Sequence, residues 1–306
     1  MTAGRDDLSQ LHQPVMVRET LTWLEATPAR EGWFVDGTLG LGGHAEALLL
    51  AAPATRLLGL DRDAEALDKA RGRLARFGER VVVRQGTYAD APEVLADIGA
   101  TAPWGVLLDL GLSSLQLDDE ARGFAFRHPD APLDMRFDAQ GEGPTAAELV
   151  NTLAERELAD ILFHHGDEPR ARAVARALVR ARPFSTVGAF ADVVRRHALR
   201  GRRHDPATRA FQALRIAVND ELGHLERGLP RLLEALAPGG RLVVLAFQSG
   251  EERLVKAAFR AARAAGLGRA LTPKPIRPME DEVRRNPRAR PTRLRAFGRE
   301  GSDETT

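Results

Sequence analysis

The 306-residue sequence predicts an α/β fold, a doubly wound and largely parallel sheet interrupted by a small helical domain. Three observations predict it. Short apolar runs alternate with helical patterns through the first third of the chain, the rhythm of βαβ units. A glycine-rich turn, Gly40-Leu-Gly-Gly43, joins the first apolar run to the first helical pattern. About 130 residues then separate the apolar run that ends near Asp109 from the one that begins at Arg241, far more than one crossover helix needs.

In chain order, strands are expected at 33–36, 57–60 and 80–84, with helices at 43–52 and 63–76 between them. Asp63 is placed to cap the second helix. Residues 106–110 supply a further buried strand, and Gly239-Gly240 introduces another at 241–247. In such a sheet, ligands lie beyond the carboxyl ends of the strands, so Asp36, Asp61, Tyr88 and Asp109 are expected to converge on one crevice.

Within the long interval, residues 117–143 mix charges, aromatics, prolines and glycines. Residues 145–199 show helical runs punctuated by Gly166, Pro169, Pro183 and Gly188. The inserted helical domain is therefore expected at 119–207, and the sheet domain at 1–118 and 208–306. Asp205-Pro206 is a helix start. Phe211, Leu214, Val218, Leu222, Leu225, Leu229, Leu232 and Leu236 then follow spacings of three and four, the stripe of a helix lying on the sheet, with Pro230 placed to kink or divide it. Thr208, Gln212, Arg215 and Asn219 make a second, polar face.

Composition narrows the function classes. With 43% hydrophobic residues a sizeable core is available, and no apolar stretch approaches the roughly 18 residues of a membrane span, so a cytoplasmic protein is expected. There is no cysteine, which excludes disulfides, thiolate metal sites and sulfur nucleophiles; with no His/Asp pair at metal-ligand spacing, no catalytic metal is expected. The net charge is +1, but it is unevenly spread: residues 284–299 carry seven arginines and no acid, and residues 195–203 carry five arginines. Both patches suit phosphate contacts, and both also fit a solvated surface.

The segment Phe34-Val-Asp-Gly-Thr-Leu-Gly-Leu-Gly-Gly-His-Ala45 reads as strand, turn and helix, a nucleotide cradle whose glycines permit close approach and positive φ. Two cofactors compete for it. Gly40-x-Gly42-x-x-Ala45 satisfies a relaxed dinucleotide fingerprint, with Asp61 as the ribose acid, and so allows a nicotinamide-dependent oxidoreductase. Carboxylates at strand ends equally suit S-adenosylmethionine, which has ribose hydroxyls and a cationic centre.

The motif Leu107-Leu-Asp-Leu-Gly-Leu-Ser-Ser-Leu-Gln-Leu-Asp118 is a buried strand opening into a polar loop. It stands with His12-Gln-Pro-Val, Asp36-Gly-Thr-Leu-Gly-Leu-Gly-Gly-His44, Arg122-Gly-Phe-Ala-Phe126, Leu133-Asp-Met-Arg136 and Ala207-Thr-Arg-Ala-Phe-Gln-Ala-Leu-Arg-Ile-Ala-Val-Asn-Asp-Glu-Leu222. Together these resemble the bacterial 16S rRNA (cytosine-N4)-methyltransferases, the RsmH or MraW family, in order from about residue 12 to residue 294. The resemblance implies a class I S-adenosylmethionine-dependent methyltransferase fold with an inserted helical domain. It implies a decoding-centre cytidine of 16S rRNA in the small ribosomal subunit as substrate; a homodimer is compatible with it.

Carried over position by position, the resemblance implies cofactor contacts from Gly42, Gly43, His44, Asp61, Tyr88, Asp109 and Gln116. Position 88 varies within the family, where phenylalanine also appears, and tyrosine keeps the ring. Asp109 with Ser113 and Ser114 are the candidates to orient the cytosine amine and relieve its proton. Many amino-methyltransferases carry two prolines and an aromatic after this acid; here the chain reads Asp109-Leu-Gly-Leu, so the substrate grip differs. Phe124 and Phe126 are candidates to stack on a flipped base, with Arg136, Arg215, Asn219, Arg288 and Arg290 as further RNA contacts. Leu294 and Phe297 are expected to pack an edge strand on the sheet.

One departure bears on mechanism. Where the family reads Phe-His-Ser-Leu-Glu-Asp-Arg, this chain reads Phe247-Gln-Ser-Gly-Glu-Glu-Arg253, and Gln248 cannot act as a base near neutral pH. A catalytically silent ribosome-assembly factor is the alternative that this glutamine supports. Ser249-x-x-Glu252 is expected as a capping box for the following helix.

Overall fold

The computed structural model describes residues 14–113, 116–117, 119–199 and 205–301. Ser114, His12, Gln13 and the arginines at 200, 202 and 203 lie outside the described residues. The chain forms two compact units, one from residues up to Gly111 together with those from Leu222 onward, the other from Leu112–Glu221. Among the described residues no helix is long and apolar enough to cross a membrane.

The first unit is built on a seven-stranded sheet: β1 (Gly32–Asp36), β2 (Thr55–Asp61), β3 (Val81–Gln85), β4 (Gly105–Asp109), β5 (Arg241–Ala246), β6 (Gly268–Ala270) and β7 (Arg293–Arg299). Their order is β3-β2-β1-β4-β5-β7-β6. β1 to β5 pair in parallel, while β7 runs antiparallel to both β5 and β6. The chain winds one way from β1 to β3 and the other way from β4, so the switch point lies between β1 and β4. Asp36 ends one of those strands and Asp109 the other.

Both faces of this sheet are covered, which is why its strands read as continuous apolar runs. Trp33, Val35, Leu58, Leu60, Val106 and Leu108 join one core with the helices Ala91–Asp97, Glu221–Ala235 and Ser249–Ala264. Their alternate neighbours Phe34, Leu57 and Leu107 join another with the helices Gly43–Ala51 and Ala64–Leu74. Asp63 caps the latter helix, its Oδ1 accepting from the backbone N–H of Glu65 and Ala66. Leu294 and Phe297 are buried in β7, one in each core, yet β7 is an interior strand because β6 pairs beyond it.

The capping box before the helix Ser249–Ala264 falls one residue earlier than expected. Gln248 is the N-cap, and Glu251 rather than Glu252 reaches back to accept from the N–H groups of Phe247 and Gln248 at 2.8 and 3.1 Å. Glu252 instead takes Arg293 and Arg295 of β7. Burial alone would raise its carboxyl; the hydrogen bonds from those two arginines outweigh that and hold it below its ordinary value.

The second unit is helical, with helices Ala146–Thr152, Glu155–His164, Ala171–Ala181, Val187–His197 and Thr208–Asn219 around one core. Thr145 and Glu148 cap the first of these reciprocally. Phe190 joins Phe184 and Phe211 edge to face, at centroid separations of 6.1 and 5.3 Å. The stripe read as one helix on the sheet is divided here. Phe211, Leu214 and Val218 belong to the helical core, and the side chains from Leu225 onward to the sheet core. Asp220 takes φ 47 and ψ 40 and separates the two helices. The spacing runs on across the break, so no signal in the pattern marks it. Pro230, by contrast, lies within an unbroken helix.

Phe190 is fully buried, and its truncation to alanine leaves a cavity the neighbouring rings cannot refill. Phe190→Ala is expected to destabilise the helical unit by about 3–5 kcal/mol in urea unfolding, with a much smaller change in the sheet unit.

Candidate active site

The turn after β1 is held to the adjacent strands by its own backbone. Gly37 N–H donates to Leu107 O at 2.9 Å, and Leu39 N–H to Leu60 O at 2.8 Å. A Cβ at Gly37 would lie 2.6 Å from both Tyr88 Cβ and Leu108 Cδ2, so only glycine fits. Thr38 ties the two strands of the switch point together: its N–H donates to Asp36 Oδ1 at 3.2 Å, and its Oγ1 accepts from Asp109 N–H at 2.6 Å. Gly42, with φ 76, then opens the helix Gly43–Ala51.

Three carboxylates meet this turn. Asp61 is anchored at both oxygens, accepting from Gly40 N–H at 2.7 Å and Asp63 N–H at 3.0 Å. Each oxygen keeps a lone pair for a further donor. Asp36 is buried, and burial is the largest influence on it. Its carboxyl is pushed up from 3.8 to about 8, the Thr38 N–H opposing the shift and Asp109 and Asp61 adding to it. Asp61 is also raised, chiefly by burial. Asp109 Oδ1 is buried without a hydrogen-bond partner. None of the three is ion-paired to a lysine or arginine among the described residues.

His44 faces this group from the first turn of its helix. Its Nε2 lies 2.8 Å from Val15 O, and a carbonyl only accepts, so Nε2 carries the proton. In the neutral ring Nδ1 is then an acceptor, 3.6 Å from Asp109 Oδ2. With two lone pairs free on Asp61 and an unsatisfied oxygen on Asp109, the centre is a setting for a ligand that brings hydroxyls and positive charge. A pyrophosphate would bring further negative charge to it.

The remaining expected residues are placed as follows. Tyr88 is partly buried against the helix Glu221–Ala235, where a Cβ at Gly228 would come within 2.7 Å of its ring. Ser113 and Gln116 hold one another, Ser113 N–H donating to Gln116 Oε1 at 3.1 Å and Gln116 N–H to Ser113 Oγ at 3.2 Å. Phe124 is buried and stacked on Phe137, and Phe126 packs edge-on to Phe211; both rings serve the helical core rather than stand free for a base. Arg136 is engaged by Asp134 and Gly141 O, and Arg215 by both oxygens of Glu221. Asn219 is buried, accepting from Phe137 N–H and donating to Met135 O, each at 2.7 Å. Arg288 and Arg290 are exposed. Thr38 and Val15 were missed by sequence reasoning, although both stand inside motifs quoted for other residues. A threonine two residues after a strand-end acid is the only signal that marks the first.

The model of the MraW methylase family matches residues 9–300. The chain belongs to that family. It is 46% identical to the ribosomal RNA small subunit methyltransferase H of Syntrophobacter fumaroxidans, over 95% of this chain and 97% of that one. It is 45% identical to the protein of the same name from Thermomicrobium roseum, over 98% and 97% of the two chains. The Thermotoga neapolitana protein of that name is likewise 45% identical, over 93% and 95%. As a member of the MraW methylase family, the chain has the class I methyltransferase fold and uses S-adenosylmethionine as methyl donor. The residues present fit that group: carboxylates with no lysine or arginine ion-paired to them among the described residues, an unsatisfied buried oxygen on Asp109 and a turn kept open by glycines.

Asp36 gives this site a pH signature. Unfolded, its carboxyl ionises near 3.8; folded, near 8. Between those values the folded chain holds one more proton than the unfolded chain, so stability falls as pH rises through that window, by up to about 1.4 kcal/mol per unit. Asp36→Asn is expected to remove this slope in urea unfolding from pH 5 to pH 8, and equal slopes for the two proteins would refute it.

Proposed function

We propose that this chain transfers a methyl group from S-adenosylmethionine to the N4 amine of a decoding-centre cytidine of 16S rRNA, within the small ribosomal subunit and in the cytoplasm. The observation that carries the reading is the acceptor-rich centre at the β1/β4 switch point, in a chain whose relatives are named small subunit rRNA methyltransferases. When bound, S-adenosylmethionine supplies an electrophilic methyl on a sulfonium. The chain's own residues hold and orient. Asp61 accepts from ribose hydroxyls, Tyr88 flanks the adenine, and the Gly42-Gly43 backbone admits the aminoacyl end. Asp36, Asp109 and His44 Nδ1 face its cationic group.

The nucleophile is an aromatic amine with two hydrogens, one of which must leave as the new bond forms. Positioning against an acceptor is the main demand. Asp109 Oδ1, buried and unsatisfied, is the group we assign to that hydrogen. Gln248 does not argue against turnover. It opens a helix, and its amide donates to Glu251 Oε1 at 3.1 Å, so its place in the fold is that of a cap.

Unmodified small subunits incubated with labelled S-adenosylmethionine should yield N4-methylcytidine on nucleoside mass spectrometry. Under the same conditions Asp109→Asn should slow turnover by about 100-fold or more. Saturating enzyme that leaves no N4-methylcytidine would sink the assignment.

Arg288 and Arg290 are assigned to rRNA phosphates. Replacing both with alanine should lower the slope of log affinity against log salt by about 1–2, with little change in S-adenosylhomocysteine binding. An unchanged slope removes them from the interface.

A further inference from the structure

The first described residues of the chain lie against the glycine turn. A Cβ at Gly43 would stand 3.0 Å from Pro14 Cγ and 3.2 Å from its Cδ, so Gly43 makes room for a proline as much as for a ligand. The next residue, Val15, supplies the carbonyl that receives His44 Nε2. The one after that, Met16, is buried and takes φ 53 and ψ 39, the left-handed region that a side chain disfavours. A conformation of that kind persists only where the surroundings fix it. Here the fixing contact comes from the other end of the chain. Met16 N–H donates to Glu282 Oε1 at 2.6 Å, across 266 residues of sequence. Glu282 belongs to the helix Glu280–Arg285. The turn that follows buries Ala289 in the same core as Val15 and Met16.

We propose that Glu282 is a positioning residue for the cofactor turn. Its carboxylate holds Met16 N–H and thereby the left-handed bend, and the bend sets Pro14 on Gly43 and Val15 O on His44. Val15 O decides that Nε2 carries a proton, and so turns the Nδ1 edge of the ring toward the cofactor turn, 3.6 Å from Asp109 Oδ2. Glu282 touches neither cofactor nor substrate. It acts through two backbone groups, Met16 N–H and Val15 O, and through the Pro14 ring, and its loss frees the strap that orients His44. The proposal rests on the reading of His44 as a cofactor contact.

The test uses the full chain with substitutions at Glu282 and His44 and two readouts, S-adenosylhomocysteine affinity by calorimetry and the imidazole ¹⁵N shifts of His44 by NMR. Glu282→Ala should weaken S-adenosylhomocysteine by about tenfold and should remove the signature of a single Nε2-protonated ring. Glu282→Gln keeps a side-chain oxygen for Met16 N–H, so it should bind within about twofold of the unaltered chain with the His44 signature intact. Should Glu282→Ala not fold, Glu282→Asp, one methylene short of Met16, carries the same comparison. Unchanged affinity in Glu282→Ala overturns the proposal, as does a failure of Glu282→Gln to rescue it. His44→Ala separates the two ways of being wrong. If it binds S-adenosylhomocysteine as well as the unaltered chain does, the assignment of His44 fails. If it binds weakly while Glu282→Ala does not, only the positioning role fails.

Discussion

Three carboxylates are carried to the ends of three adjacent parallel strands with no arginine or lysine ion-paired to them among the described residues, and most of the local structure follows from holding them there. Burying a carboxylate is costly unless it is hydrogen-bonded or neutral. Both solutions are present. Asp61 is met by two backbone N–H groups, and Asp36 is held toward its protonated form. The turn from Gly37 to Gly42 can aim its N–H groups at these acids only because it lacks side chains where Tyr88, Leu108 and Leu74 crowd it. The glycines thus serve two ends at once, close approach to a ligand and close approach of backbone to carboxylate.

The same economy of polar groups shapes the helical unit. Asn219, buried, receives Phe137 N–H and donates to Met135 O, and Arg122 donates to the carbonyls of Arg136 and Phe137. A segment with little regular structure is thereby fixed by side-chain-to-backbone bonds, in place of a sheet or helix ladder. Polar residues that look available for RNA in the sequence are spent on this. The exposed arginines near the carboxyl end are differently placed, since Arg288 and Arg290 stand on a short turn whose buried residue, Ala289, anchors it in the sheet core.

The five parallel strands were legible because each is a short apolar run bounded by a glycine, a turn or an acid, and the doubly wound class followed from the βαβ rhythm and from the resemblance, whereas β6 and the interior place of β7 were not. Asp36, Asp61, Tyr88 and Asp109 could be placed at strand ends by counting. What could not be counted was which polar side chain would face a ligand and which would face backbone. Phe124, Asn219 and Arg215 have the residue types of a recognition surface, yet packing and pairing decide their use. The stripe from Phe211 to Leu236 shows why: a single left-handed residue, Asp220, hands it from one core to another without altering its period.

The α/β class, the glycine turn, the acids at the strand ends and the family are readable in the residues alone, because these are local patterns or runs of identity long enough to exclude chance. Folding in three dimensions is what joins the two strands of the switch point through Thr38, leaves Asp109 an unsatisfied oxygen, and brings Glu282 to Met16 from the far end of the chain. Those contacts depend on distances between residues far apart in sequence. Burial, moreover, sets the charge of a carboxylate only once the surrounding chain has closed over it.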